Sequence, residues 1–184
     1  MHMQQATDFL DECRSLYELV STLDDQDLMI ETRFKHWTIS DILRHLAVWD
    51  EAARLTIQSA EAFQRFFAPV PAHMRAGNIR AFEREVVPNK GLGLIEHWWS
   101  NCQETAQLYT TADPKKRLKW GGPDLSARTC ITSRLMETWS HSQAIYDELG
   151  IERVDGDRIK NIVQIGPGQR AGGSHRTGRG GGGG

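Results

Sequence analysis

Hydrophobic residues in this chain recur with the 3.6-residue period of the α-helix, and the strict alternation of a half-buried β-strand is scarce. This periodicity predicts an all-α fold. The first helix is predicted in "TDFLDECRSLYELVSTL", with Thr7 as its N-cap. One face of that segment gathers the apolar residues Phe9, Cys13, Leu16, Val20 and Leu23.

The second helix is predicted within "HWTISDILRHLAVWDEAARLTIQSAEAF". Thr38 and Asp41 have the spacing of a capping box, and Trp37 and Ile42 have that of a hydrophobic staple, so the helix should start near Ile39. Prolines weaken the pattern between residues 65 and 90, although "HMRAGNIRAFEREVV" could form an extra helix.

Two further helices complete the pattern. "GLIEHWWSNCQETAQLYTT" forms the third, and "ADPKKRLKWGGPDL" is interpreted as a connection. Ser126 is a suitable N-cap for the fourth helix, which should end at Leu149 because Gly150 is a natural C′ residue. Four helices joined by connections of mixed length indicate a four-helix bundle.

Composition limits the kind of partner. With 25% charged and 39% hydrophobic residues and a formal net charge of −2, the chain needs neither a nucleic acid nor an anionic membrane as partner. We find no apolar run of membrane-spanning length and no secretory signal, so a cytoplasmic location is expected. The three cysteines have no metal-knuckle spacing, and we expect reduced thiols. The oligomeric state is not indicated.

The end of the chain differs in composition from the rest. Residues 166–184 contain ten glycines and three arginines without any acidic residue, which predicts a disordered Gly/Arg-rich tail. The stretch "GRGGGGG" faintly resembles RNA-binding Arg/Gly segments, but no aromatic residue is interleaved with it, so we expect no nucleic-acid partner.

Two residues of the fourth helix suggest chemistry. Glu137 and His141 are one helical turn apart, which brings their side chains close enough to share a metal ion. On the second helix, His45 lies between the apolar residues Ile42 and Trp49. The plainer alternatives are a solvated Glu–His pair and a core histidine that donates to a backbone carbonyl. If His45 instead faces the pair across the bundle, the three side chains give three N/O ligands and leave a fourth position open, as in catalytic zinc sites.

The blocks "HWTISDILRHLAVWDEAARL" and "LSARTCITSRLMETWSHSQAIYDELG" resemble the DinB-like metal-binding bundles, and specifically the N-terminal domain of mycothiol-dependent maleylpyruvate isomerases. The resemblance spans roughly residues 5–150. It implies a four-helix bundle with a long crossover connection, in which His45, Glu137 and His141 ligate a divalent metal, usually zinc. It also implies a low-molecular-weight thiol such as mycothiol as cosubstrate, transferred to a small electrophile or used to isomerise it. The alternative is a metal-binding bundle without turnover that serves as an interaction module.

The chain departs from the family pattern in two places. His36 stands where members of the family usually have glycine, and we interpret it as lying outside the metal site because it precedes the helix. The family commonly continues into a second domain, and residues 151–165 look like the start of that continuation before the tail begins. A truncation or a frameshift is one explanation. The predicted organisation is therefore a bundle over residues 1–150, an extension over 151–165 and a tail over 166–184.

The other candidate residues have plainer explanations. Arg134 shares a ridge with Glu137 and Cys130, and either neutralises Glu137 or holds an anionic substrate, the first being the better interpretation. Cys13 and Cys102 are expected to be packing residues, and His97 a surface or core-edge residue held in reserve as a ligand. Trp37, Trp49 and Trp139 flank the proposed ligands, where they either line a pocket or belong to the core. No catalytic side chain is assigned.

Overall fold

The computed structural model describes residues 2–164, so the predicted tail lies outside the described residues. Within this range the chain is mostly helical, as predicted, and its only sheet pairs two very short strands. The four long helices are α1 (Gln4–Val20), α2 (Ile39–Gln58), α6 (Gly91–Thr110) and α7 (Ala127–Leu149). The short elements are the helices α3 (Ala60–Phe67), α4 (Val70–Arg75) and α5 (Ile79–Val86), the strands β1 (Arg117–Leu118) and β2 (Leu125–Ser126), and the 3-10 helices Asp27–Met29 and Asp157–Gln164.

The long helices form a four-helix bundle in which α1 and α2 each pack against both α6 and α7. Helix direction follows from the contacts between α2 and α6: Asn101 donates to Ala47 O at 2.9 Å, and Tyr109 donates to Ala53 O at 2.9 Å. Residue numbers rise together along both helices, so α2 and α6 are parallel. Parallel neighbours need a connection that returns along the bundle, and residues 59–90 make this crossover.

The start of α2 agrees with the sequence pattern. Thr38 accepts a hydrogen bond from the backbone N–H of Asp41, and the Asp41 side chain accepts one from the backbone of Thr38, which completes the capping box. Ser126 caps α7 in the predicted way, and Gly150 ends that helix with a left-handed backbone at φ 65°.

The predicted N-cap of α1 was wrong. The helix begins at Gln4, so Thr7 lies inside it, and Met3 occupies the N-cap position. Met3 is buried, and its backbone N–H donates to Thr110 O at 3.0 Å. A tertiary contact with the end of α6 therefore anchors the first turn, and sequence periodicity carries no signal of such a contact.

The crossover contains more helix than the sequence pattern indicated. Ser59 has an extended backbone and caps α3, so the predicted second helix is divided there. The segment considered as one extra helix is also divided, because Gly77 takes a left-handed backbone at φ 67° between α4 and α5. The predicted connection after α6 contains the β1–β2 hairpin.

The core lies between the four long helices. Its largest fully buried side chains include Phe9 and Leu16 of α1 and Trp98 and Tyr109 of α6. The 3-10 helix Asp157–Gln164 packs against α1 and α7. The predicted domain boundary at residue 150 stays a prediction. No helix in the described part of the chain is long and apolar enough to cross a membrane.

Candidate metal centre

Helices α2 and α7 bring His45, Glu137 and His141 together. Each residue offers one ligand atom, and these atoms all lie within 4.8 Å of one another. The Nε2 of His141 is 3.0 Å from Glu137 Oε2, and the Nε2 of His45 is 3.9 Å from the same oxygen. The pair predicted on α7, Glu137 and His141, is therefore joined by His45 from a different helix.

The second ring nitrogen of His45 has a carboxylate partner. His45 Nδ1 is 2.7 Å from Oε1 of Glu83, and Trp49 Nε1 donates to the same oxygen at 3.1 Å. A carboxylate accepts hydrogen bonds, so Nδ1 carries the proton and the lone pair of neutral His45 is on Nε2, toward Glu137. This is the carboxylate–histidine arrangement that orients metal-ligating imidazoles.

The charges of the site favour an ionised carboxylate beside the imidazoles. Burial raises the pKa of Glu137, but the hydrogen bond with His141, the nearby imidazole of His45 and the charge of Arg134 outweigh it, so the pKa is held well below its usual range. Burial lowers the pKa of His45, but the nearby carboxylate of Glu137 and the hydrogen bond to Glu83 outweigh it, and the pKa of His45 is raised. Glu137 therefore supplies a negative charge at neutral pH.

Arg134 makes its close ion pair with a residue that the sequence analysis did not consider. Its Nε donates to Oδ1 of Asp50 at 2.8 Å, and both side chains are almost completely buried. The charge of Arg134 still lowers the pKa of Glu137, but Asp50 holds the guanidinium. Arg134 therefore belongs to a buried ion pair next to the candidate metal centre.

Aromatic rings cover one side of the cluster. Trp37 stacks on His141 at a centroid distance of 6.1 Å and meets His45 edge-on at 5.3 Å, while Phe34 meets His141 edge-on at 5.0 Å. Both rings come from the loop before α2, in which Lys35 and His36 take left-handed backbone angles. Trp139, predicted as a third flanking ring, instead donates to Asp155 and packs under Arg153.

The reserve ligands lie elsewhere. His36 is exposed and pairs with Glu31 at 2.7 Å, and His97 is exposed on α6. Cys13, Cys102 and Cys130 are free and buried, which agrees with reduced packing thiols. Within residues 2–164, the metal-capable cluster consists of His45, Glu137 and His141 alone.

The donor set suits a divalent metal ion. Two imidazole nitrogens and one carboxylate oxygen are the ligands of catalytic zinc centres, and imidazole also suits other late transition metals. The Nδ1 of His141 is buried and finds no hydrogen-bond partner in the described part of the chain. A tetrahedral ion held by these three residues alone would keep one position open for a small molecule.

Residues 9–146 match the mycothiol maleylpyruvate isomerase N-terminal domain family. The chain belongs to this family. The match includes α2, the whole crossover and α7 as far as Tyr146, and thus all three residues of the cluster.

Two uncharacterized proteins of Mycobacterium tuberculosis, from strains CDC 1551 / Oshkosh and ATCC 25618 / H37Rv, are each 28% identical to this family member over 130 residues. The alignment covers 71% of this chain and 50% of each relative. The chain thus spans about half the length of the curated relatives it matches. No solved structure matches the chain.

The sequence analysis did not identify Glu83, because the segment that contains it was considered only as a possible extra helix. In "NIRAFEREVV", Glu83 follows Phe82 and precedes Val86 by three positions, so it lies at the edge of an apolar face. An acidic residue in that register is a usable signal for a buried carboxylate. Its target, His45, is 38 residues earlier in the chain and is identified only by the crossover.

Proposed function

We propose that this member of the family binds one divalent metal ion, best matched by zinc, at His45, Glu137 and His141. The observation that carries the proposal is the convergence of the three ligand atoms within 4.8 Å, with Glu83 holding the far side of the His45 ring. A pair on one helix is common on protein surfaces. A third ligand from another helix, oriented by a buried carboxylate as His45 is by Glu83, is typical of metal sites in proteins.

We further propose that the site serves a low-molecular-weight thiol, such as mycothiol, and a small electrophile, in a transfer or isomerisation reaction. Membership of the family supports the thiol. A divalent metal supplies Lewis acidity, which favours the thiolate form of a thiol at neutral pH.

The protein's own cysteines are poor candidates for the nucleophile. Burial raises the pKa of Cys130 to about 11 and also raises the pKa values of Cys13 and Cys102. These thiols therefore stay protonated at neutral pH, and only the thiolate is an effective nucleophile. An external thiol is the simpler source of the reacting sulfur.

The residues of the chain have separable tasks in this proposal. Glu83 fixes the ring of His45, and Glu137 supplies a carboxylate that is ionised at neutral pH. The rings of Phe34 and Trp37 shield His141 from water on one side, which strengthens electrostatic interactions at the site. Asp50 holds Arg134 behind Glu137.

The test measures metal content and thiol reactivity in the same preparations. We expect about one equivalent of zinc with the wild-type protein and with His97→Ala, an exposed control, and well below one with the His45→Ala/His141→Ala double variant. With mycothiol, bacillithiol or glutathione and an activated electrophile, the wild-type protein should react faster than His141→Ala.

The two parts of the proposal fail separately. A full equivalent of zinc on the double variant would remove the assignment of the metal site. Equal rates for wild type and His141→Ala with every thiol would remove the enzymatic part and leave a non-catalytic metal-binding module.

A further inference from the structure

A second concave site lies beside the start of α2. The cavity has a volume of about 820 Å³ and lies between the loop before α2, the helix α5 and the start of α6. This volume is in the range of small-molecule sites. None of the three residues of the candidate metal centre lines it, and its lining includes four basic side chains: Arg44, Arg80, Arg84 and Lys90.

Three guanidinium groups converge on one carboxylate in this cavity. Arg80 donates directly to Oδ2 of Asp41, Arg84 is 3.2 Å from Oδ1, and Arg44 is 3.8 Å from Oδ1. One carboxylate balances one of three positive charges. The cluster at Asp41 therefore carries a formal excess of two positive charges.

The hydrogen bonds that Arg44 donates do not remove this excess of positive charge. Its Nε and a terminal nitrogen donate to the carbonyls of Val87 and Asn89 at 2.9 and 3.0 Å, and carbonyl groups carry no formal charge. Burial lowers the pKa of Arg44, the carboxylates of Asp41 and Glu83 raise it, and the positive charges of Arg84 and Arg80 lower it further. The guanidinium groups thus repel one another, and an added anion would relieve the repulsion.

The other carboxylates of the cavity, Glu31 and Asp25, reduce the positive excess without cancelling it. Glu31 lies 2.7 Å from the imidazole of His36, and Asp25 packs against Gly91. Lys90 adds a fourth cation to the lining. Four basic side chains against three acidic ones leave the lining with one formal positive charge when His36 is neutral.

Two features indicate that the arginines do more than attach α5 to α2 through Asp41. The side chains of Arg80 and Arg84 are 34% and 54% exposed, so both remain accessible from the cavity. The Nε of Arg80 is nevertheless buried, and no acceptor for it is found within residues 2–164. A buried donor without a partner, on an arginine that lines a cavity, is suited to an acceptor that comes from outside the chain.

We propose that this cavity is a binding site for an oxyanion, the carboxylate or phosphate group of a small molecule, with Arg80, Arg84 and Lys90 as its ligands. Paired guanidinium groups favour such anions because their N–H donors match two oxygens at once. Arg44 contributes charge from a fixed position. The site lies close to the candidate metal centre, since Arg80 is 5.5 Å from the Trp37 ring, which contacts His45. The proposal requires neither the metal nor the thiol.

The test is a titration of the full chain with inorganic phosphate and, separately, with malonate, followed by calorimetry. We expect saturable binding of at least one anion with a Kd on the order of 1 mM or lower, which corresponds to about −4 kcal/mol. Binding of phosphate alone or of malonate alone would identify the kind of oxyanion that the site prefers. Saturation by neither anion would overturn the proposal.

Matched variants locate the binding. Arg84→Gln and Lys90→Gln should each weaken it by about tenfold, as expected for the loss of one charge-assisted contact. Arg14→Gln removes the same charge from a 49% exposed arginine on α1 and should leave the affinity within about twofold. Equal losses in Arg84→Gln and Arg14→Gln would show that net charge alone attracts the anion, and the site would be abandoned.

Discussion

At the scale of single residues, Glu83 is the side chain that organises the candidate metal centre. It is 2% exposed, and one of its oxygens accepts from both the imidazole of His45 and the indole of Trp49. Two donors fix the position of this carboxylate, and the carboxylate in turn fixes the tautomer of His45. Its contact is with the far side of the His45 ring, so its role is to position that ring.

Replacing Glu83 tests this positioning role. We expect Glu83→Gln to weaken zinc binding by about 10- to 100-fold, because an amide no longer enforces a proton on Nδ1. Competition with a chromophoric chelator measures the affinity, and the ¹⁵N shifts of the imidazole in metal-free protein report the tautomer. The control is Glu85→Gln, an exposed position on the same helix. Unchanged affinity and tautomer in Glu83→Gln would refute the role.

At the scale of elements, the first turn of α2 connects the two sites. Its capping box fixes where the helix begins, and therefore on which face His45 lies. The capping carboxylate of Asp41 also receives Arg80 and Arg84 from α5, the short helix that carries Glu83. One carboxylate thus stabilises a helix start and fastens the crossover to it.

The contribution of Asp41 should depend on pH. Burial raises the pKa of Asp41, but the hydrogen bonds with Thr38 and the charge of Arg80 outweigh it and hold the pKa below its usual range. A carboxyl whose pKa is lower in the folded chain than in the unfolded chain stabilises the fold above the unfolded value. That stabilisation is lost as the pH falls through the folded value. We expect Asp41→Asn to cost about 1–2 kcal/mol at pH 7, and less at pH 3, in urea unfolding.

A surface carboxylate provides the comparison. Asp11 is 44% exposed on α1 and pairs with Arg14 alone among the described ion pairs, so Asp11→Asn should cost no more than about 0.5 kcal/mol at either pH. A loss for Asp41→Asn that is the same from pH 7 to pH 3 would mean that its charge contributes nothing.

At the scale of the whole molecule, ion pairs join residues 151–164 to the first helix of the bundle. Arg153 and Arg158 both contact the carboxylate of Glu12, which is 1% exposed on α1, and Arg158 makes its contact at 2.6 Å. The guanidinium of Arg153 also lies over the rings of Trp139 and Tyr146, at 5.3 and 5.6 Å. A segment after the last long helix therefore neutralises a buried charge in the first one.

Two truncations distinguish this segment from the tail. Removal of residues 151–184 leaves Glu12 without its guanidinium partners, and we expect a loss of about 3 kcal/mol, or a fall in Tm of about 10 °C. Removal of residues 166–184 alone should leave the Tm unchanged, because that stretch has almost no apolar side chains. Calorimetry measures both.

The Glu12→Gln substitution identifies the cause of the loss. In the chain without residues 151–184 it should recover part of the stability, because an unpaired amide is less costly to bury than an unpaired carboxylate. A short truncation as damaging as the long one, or no recovery with Glu12→Gln, would contradict this account.

The sequence by itself determined the long helices and the identity of the candidate ligands. Helical periodicity and caps are local properties, so α2 could be placed from Thr38 and Asp41, and the end of α7 from Gly150. The spacing of Glu137 and His141 is local too, since residues one turn apart on a helix are neighbours in any fold that keeps the helix.

Only the tertiary structure decided which residues complete the sites. Glu83 reaches His45 across 38 positions, Arg134 reaches Asp50 across 84, and Arg158 reaches Glu12 across 146. No periodic pattern encodes such pairs, because each depends on helix order and on the parallel packing of α2 and α6. The charged partners Glu83, Asp50 and Glu12 could therefore be identified only from the tertiary structure, which places the crossover and the residues after α7 against the long helices.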